Sequence, residues 1–139
     1  MFLQVLLQGI PLGGPDSVLM IYMAVAGLFC RAYDRITEQA VVCPAEKAGN
    51  RHVYHQYTIR TPKRDALQQY LKEHEVPSVV YYPFPLHLQK ALDFMGHREG
   101  DFPVTEKVSN EVLSLPVYPE LDEKDIYEAS ELIHKCLKG

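Results

Sequence analysis

The sequence lacks the patterns that mark the common nucleotide- and metal-dependent enzymes. It has no P-loop, no GxGxxG, no HExxH and no GxSxG motif. Its cysteines, Cys30, Cys43 and Cys136, are odd in number and form no CxxC pair, which argues against a disulfide framework and a zinc site. We therefore expect three buried thiols in a reducing cytosol and no bound metal.

The sequence also lacks an excess of positive charge, and its N-terminus is nearly uncharged. A net charge of −4 excludes the electrostatic footprint of a nucleic-acid-binding protein. Before Arg31 the only charged side chain is Asp16, and no basic region precedes the apolar run at residues 18–30, which disfavours a signal peptide. As a helix that run would rise only about 20 Å, less than a hydrocarbon layer of roughly 30 Å. We expect it to be buried against other protein, with membrane attachment as the weaker alternative.

Three stretches predict strands in a chain whose 139 residues suffice for one domain. Residues 52–60 (HVYHQYTIR) alternate between two faces, and residues 78–82 (SVVYY) form a second short strand. Residues 113–119 predict an extended edge strand, because Pro116 cannot donate to a ladder. The predicted fold class is α+β, with a small, mostly antiparallel sheet of about three strands covered by helices.

Helical spacing of apolar residues predicts four helices. The last is the best marked, because Asp122 can cap it and Leu121 can pack against Ile126 in its first turn. Gly96 is expected to end the second helix. The four stretches are residues 64–74, residues 86–95, residues 103–112 and the C-terminal residues that follow Asp122.

The segment YYPFPLHLQ, residues 81–89, differs in kind from the rest of the chain. It combines two tyrosines, two prolines and a histidine. Because proline fixes the backbone, phenol and imidazole groups can be held in place at low entropic cost. Such a turn suits a polar ligand with hydroxyls or phosphates. From the residues alone, an ordinary proline turn with Tyr81 or Tyr82 in the core is an equal alternative.

Several motifs together resemble the C-terminal part of the DegT/DnrJ/EryC1/StrS family of aminotransferases. In order along the chain they are HVYHQYTIR, RDALQQYLKE, YYPFPLHLQ, GDFPVTEKVSNEVLSLPVYPEL and the closing helix, and the resemblance runs from about Tyr33 onward. It implies a pyridoxal-phosphate enzyme of fold type I that aminates keto nucleotide sugars in amino-sugar and polysaccharide biosynthesis. The implied domains are residues 1–30, an apolar segment or orphaned connecting helix, and residues 31–139, a small C-terminal domain.

The resemblance also implies site residues and partners. Tyr81, Tyr82 and His87 match a turn that helps to hold substrate in the family. The family's Schiff-base lysine lies in an upstream cofactor domain, and no lysine here has that sequence context, so we expect no catalytic residue in this chain and no pyridoxal phosphate held covalently by it. We expect a cytoplasmic, truncated, split or excised portion of such an enzyme, inactive alone, that pairs with a second copy or with the missing large domain. The alternative is a stand-alone sugar-nucleotide-binding or regulatory module that pairs with an aminotransferase subunit.

Overall fold

The computed structural model describes residues 27–28, 41–45, 47–50, 52, 54–118 and 120–138. The apolar run at residues 18–30, and with it the predicted segment 1–30, lies outside the described residues except for Gly27 and Leu28. The described elements confirm an α+β fold. In chain order they are β1 (Tyr57–Arg60), α1 (Arg64–Glu73), two 3₁₀ turns (Leu86–Leu88 and Lys90–Met95), α2 (Pro103–Glu111), β2 (Val112–Leu115) and α3 (Glu123–Lys138).

The described sheet has two strands rather than the predicted three. β1 and β2 pair antiparallel, with Tyr57 opposite Leu115 at one end of the register. One isolated bridge extends each side, from Val42 to Arg60 on β1 and from Val79 to Ser114 on β2. The sheet is antiparallel as predicted, and on each outer side a single residue forms one further bridge.

The predicted strand at residues 52–60 begins only at Tyr57. Tyr54 has a φ of 46°, in the left-handed region, and its N–H donates to Nδ1 of His52 at 2.8 Å. This local turn takes the chain out of the extended conformation just before the sheet.

The two other strand predictions also need correction. Residues 78–82 contribute only the bridge at Val79, because the prolines on either side of this short stretch have no N–H to extend a ladder. Residues 113–119 do not form an edge strand. β2 ends at Leu115, just before Pro116, and it bonds to β1 on one side and to Val79 on the other.

The core lies between the sheet and the first and last helices. α1 and α3 each bury one stripe, as their spacing predicts. At the start of α3, Oδ1 of Asp122 accepts a hydrogen bond from the N–H of Lys124 at 3.2 Å, and both Leu121 and Ile126 are buried, which confirms the predicted cap. The largest fully buried side chains among the described residues are Tyr57, Ile59, Leu67, Leu71, Leu113, Ile126, Ile133 and Thr61.

The predicted helix at residues 86–95 is instead the pair of 3₁₀ turns. These turns bury only His87. Without an apolar stripe packed on the core, tertiary contacts do not hold this stretch in a longer α-helix. Gly96 ends the second turn in the left-handed conformation, with a φ of 74°, as predicted.

The chain leaves the sheet after β1 and returns to the same place before β2. The N–H of Thr61 donates to the carbonyl oxygen of Glu111 at 2.9 Å, and Nε of Arg60 donates to Oε2 of Glu111 at 2.6 Å. Nη1 of the buried Arg64 donates to the carbonyl oxygen of Ser109 at 3.2 Å. These bonds hold the two ends of residues 61–111 together.

Candidate functional site

The tyrosine pair of the proline turn points toward solvent. Tyr81 is 53% exposed and Tyr82 is 64% exposed. They follow the Val79 bridge, which ties the start of the turn to β2. The alternative that either tyrosine belongs to the core is therefore wrong, and both phenol hydroxyls are accessible to a ligand.

His87 lies in the same turn but is only 8% exposed. Its Nε2 lies 2.9 Å from Oε1 of Glu106. Its ring packs edge to face with Phe102 at a centroid distance of 4.8 Å and lies 6.5 Å from the ring of His97. The structure thus places His87 next to the tyrosines in sequence but fixes it in a buried hydrogen bond.

Glu106 ties this turn to the start of α2. Besides its bond to His87, its Oε1 accepts the N–H of Gly100 at 2.9 Å and the N–H of Phe102 at 3.3 Å. The sequence predictions missed Glu106. The sequence pattern that could have identified it is a glutamate in the first turn of a helix that begins at Pro103. A carboxylate at that position can accept hydrogen bonds from backbone N–H groups just upstream.

The hydrogen bonds around the loop lower the pKa of two carboxylates. The pKa of Asp101 is lowered chiefly because its carboxylate accepts a hydrogen bond from the backbone N–H of Arg98. Desolvation acts in the opposite direction, and His97 adds to the lowering. Desolvation alone would raise the pKa of Glu106, but the N–H of Gly100, the ring of His87 and the N–H of Phe102 together lower it. Both groups are therefore held as carboxylates at neutral pH.

Acidification is expected to loosen the loop at residues 96–102. Because the folded pKa values of Asp101 and Glu106 lie below the unfolded values of about 4, their bonds stabilise the fold above that pH, and this stabilisation is lost as the pH falls through the folded values. Hydrogen-exchange protection of the Gly100 amide should stay constant from about pH 7 to 5 and fall below about pH 4. Glu106→Gln should remove the Glu106 part of this dependence, whereas Glu99→Gln should not. A loss of protection that is complete above about pH 5 would contradict the assignment to these carboxylates.

A shallow groove runs beside Tyr81. It has a volume of about 290 Å³. Polar groups from three parts of the chain line it, since Tyr81 and Tyr118 share it with His55 and Gln56. The groove gives the exposed phenol of Tyr81 neighbours that can also form hydrogen bonds with a ligand.

Large apolar side chains are exposed over one continuous stretch, residues 81–104, which we term the exposed apolar segment. Nine of the thirteen exposed large apolar side chains among the described residues belong to it. Phe94 is the most exposed of them, at 83%. This concentration of exposed apolar groups makes the segment a candidate interaction site. They are Tyr81, Tyr82, Phe84, Leu86, Leu88, Phe94, Met95, Phe102 and Val104.

The lysines do not fit a covalent pyridoxal-phosphate site. A Schiff base needs an unprotonated amine, and proteins provide one by burying the lysine or by placing it near another cation. All eight lysines of the chain lie in described positions, and all are exposed. None of these exposed lysines therefore has the environment that a Schiff base requires.

The described part of the chain contains no group of three or more histidine, cysteine, aspartate and glutamate side chains placed to hold a metal ion. None of its helices is both long and apolar enough to cross a membrane.

Fold and site together define a small α+β domain that presents a tyrosine turn beside an exposed apolar segment. The chain belongs to the DegT/DnrJ/EryC1/StrS aminotransferase family, whose model matches residues 24–134. This match confirms the resemblance seen in the motifs.

Individual relatives agree with the family match. The chain is 52% identical over 96 residues to a pleiotropic regulatory protein of Geobacillus stearothermophilus, covering 66% of this chain and 26% of that protein. It is 40% identical over 96 residues to a UDP-N-acetyl-3-dehydro-alpha-D-glucosamine 3-aminotransferase of Acidithiobacillus ferrooxidans, covering 69% and 26%. A crystal structure of a DegT DnrJ EryC1 StrS aminotransferase from Brucella abortus superposes with a TM-score of 0.76 at 32% identity, over 86% of this chain and 31% of that one. The chain thus spans about a quarter of the length of the curated relatives it matches.

Proposed function

We propose that residues 31–139 form the small C-terminal domain of a pyridoxal-phosphate-dependent aminotransferase that acts on keto nucleotide sugars. The observation that carries the proposal is the family match over residues 24–134 in a chain that spans about a quarter of its relatives. The curated relative from A. ferrooxidans is named for amino transfer to a UDP-linked sugar. In this proposal residues 1–30 connect the domain to a cofactor-bearing portion, and the complete enzyme is a cytoplasmic dimer.

The tyrosine turn is the proposed substrate contact. Tyr81 and Tyr82 offer exposed hydroxyls that can donate to or accept from the hydroxyls and phosphates of a nucleotide sugar. His87, held by Glu106, fixes the far end of the same turn. The groove beside Tyr81 provides room for part of such a ligand.

The exposed apolar segment is the proposed docking face for the cofactor-bearing portion. Protein–protein interfaces bury aromatic and apolar side chains at their centre. Phe84 and Phe94 are 67% and 83% exposed in this chain and are free to make such contacts. When bound in the complete enzyme, pyridoxal phosphate supplies the electron sink for amino transfer, while this chain contributes substrate contacts and closes the site from one side.

A chimeric enzyme tests this function. Residues 31–139 would replace the matching segment of the A. ferrooxidans relative, and amino transfer from glutamate to its UDP-linked keto sugar would be measured. We expect an active chimera, no turnover by the present chain alone, and a KM about three- to tenfold higher for Tyr82→Phe, because one hydrogen bond to substrate is lost.

The matched control is Tyr127→Phe, which removes an exposed hydroxyl from α3 and should leave KM unchanged. A chimera that folds and binds the cofactor but has no activity would refute the proposed function. An unchanged KM for both Tyr81→Phe and Tyr82→Phe would remove the tyrosine turn from the substrate site.

A further inference from the structure

The shallow groove opens where the sheet ends. The last register pair of β1 and β2 joins Tyr57 to Leu115, and Pro116 follows on the chain. On the other side of β2, Val79 forms the bridge, and Pro77 lines the groove together with Pro116. Because neither proline has an N–H, the ladder of hydrogen bonds does not continue past them on either side. The groove therefore occupies the end of the sheet that the two prolines leave unpaired.

The charge of the groove separates it from the other two grooves of the domain. Its described lining includes a histidine, His55, but no lysine, arginine, aspartate or glutamate. The two other grooves are lined by charged side chains, with Glu75 shared between both. A diphosphate carries several negative charges and binds where arginine, lysine or a helix N-terminus faces it. The groove thus suits the uncharged part of a nucleotide sugar and not its diphosphate.

Three side chains in the lining are available to contact such a ligand. No hydrogen bond joins the side chain of Gln56, Tyr81 or Tyr118 to another residue that the structure describes. The carboxamide of Gln56 offers a donor and an acceptor side by side, and that pair matches the adjacent N–H and C=O groups on the edge of a nucleobase. Tyr118, 43% exposed, supplies an aromatic ring of the kind on which bases stack.

We propose that this groove binds the base of the nucleotide sugar, with the Gln56 carboxamide bonded to the edge of the base and the Tyr118 ring stacked on its face. The proposal rests on the proposed function, because it names the part of the substrate that the groove takes. The groove volume of about 290 Å³ is at the lower limit of the roughly 300–1,000 Å³ found for ligand pockets. It therefore accommodates one part of a nucleotide sugar and leaves the diphosphate and the sugar outside.

Titration of the full 139-residue chain with uridine tests the groove directly, because uridine has the base but no phosphate. We expect saturable binding that shifts the NMR signals of the Gln56 side-chain amide and of the Tyr118 ring. Gln56→Ala should weaken this binding about three- to tenfold, because the hydrogen bonds of the carboxamide are lost. Tyr118→Ala should weaken it at least about fivefold, whereas Tyr118→Phe, which keeps the aromatic face, should stay within about twofold.

Matched variants and ligands control this titration. Gln69→Ala and Tyr127→Ala remove an exposed glutamine from α1 and an exposed tyrosine from α3, neither of which lines the groove, and both should leave the uridine affinity unchanged. N-acetylglucosamine offers sugar hydroxyls without a base, and inorganic pyrophosphate offers negative charge alone. Neither ligand should shift the signals of Gln56 or Tyr118.

The chimeric enzyme connects the groove with the substrate. There Gln56→Ala should raise KM for the UDP-linked keto sugar and the inhibition constant of UDP by the same factor, about three- to tenfold, because both molecules contain the base. A raised KM with unchanged inhibition by UDP would place Gln56 against the sugar and overturn the proposal.

The outcomes separate this proposal from the proposed function. Absence of saturable uridine binding, or an affinity unchanged in both Gln56→Ala and Tyr118→Ala, overturns the base site even if the chimera is active. Binding of N-acetylglucosamine or pyrophosphate in the groove more tightly than uridine overturns the choice of the base. Uridine binding with an inactive chimera counts against the proposed function and leaves the base site supported.

Discussion

Leu113→Ala is expected to destabilise the domain by about 3 kcal/mol, within a range of about 2–5 kcal/mol for buried leucines. Leu113 lies on β2 opposite Ile59, and both side chains are fully buried. Truncation would leave a cavity between the sheet and the helices that pack on it. Since domains of this size are stable by only about 5–15 kcal/mol, the loss should shift the urea midpoint strongly in unfolding followed by circular dichroism, with the slope unchanged.

Leu86→Ala is the matched control for this prediction. It makes the same substitution at a leucine that is 58% exposed and should cost less than about 1 kcal/mol. Equal costs at Leu86 and Leu113 would contradict the position of the core.

The double variant Phe84→Asp/Phe94→Asp is expected to weaken docking on a cofactor-bearing portion at least about 100-fold. Aromatic side chains at the centre of an interface commonly contribute 2 kcal/mol or more each, and each replacement buries a charge in the complex. Because both phenylalanines are exposed in the chain alone, its own stability should change little. Calorimetric titration of the full chain with the portion of the A. ferrooxidans aminotransferase that the chain does not cover measures the affinity.

Tyr127→Asp is the control for docking. Tyr127 is an exposed aromatic residue on α3, outside the exposed apolar segment, and its replacement should leave the affinity within about twofold of the wild type. An unchanged affinity in the phenylalanine double variant would show that the segment faces something other than the cofactor-bearing portion.

The elements that could be predicted from sequence are those whose local pattern and tertiary burial agree. α1 and α3 have apolar stripes that reach the core, and Asp122 caps α3 as its position predicts. Residues 86–95 have a similar pattern, but that stretch buries only His87 and forms 3₁₀ turns. Apolar spacing alone does not reveal whether the core lies within reach of a face.

The strand predictions failed for a different reason. Alternation over residues 52–60 continues through Tyr54, but the backbone there turns at a positive φ and the strand starts at Tyr57. Single-residue bridges such as those of Val42 and Val79 depend on partners far along the chain, and no local pattern encodes them.

The resemblance names the residues of the candidate site but not their surroundings. The resemblance pointed to Tyr81, Tyr82 and His87, and the structure shows that the two tyrosines are exposed whereas His87 is buried. The difference comes from Glu106, nineteen positions away in the chain. A glutamate in the first turn of a helix predicts hydrogen bonds to backbone N–H groups just upstream, as Glu106 makes to Gly100 and Phe102. Its bond to His87 is a tertiary contact, which no local pattern predicts.

The closure around Glu111 holds together the two ends of the segment that carries the proposed site. The tyrosine turn and most of the exposed apolar segment lie between α1 and α2, and the His87–Glu106 bond joins this connection to α2. Both helices are fixed near the closure by Arg60, Arg64 and Thr61. Lengthening or rewriting the connection between those helices costs little, because the entropy of loop closure grows slowly with length. Under the proposed function, changes in this connection therefore alter ligand and docking contacts while β1, β2 and α3 keep the same core.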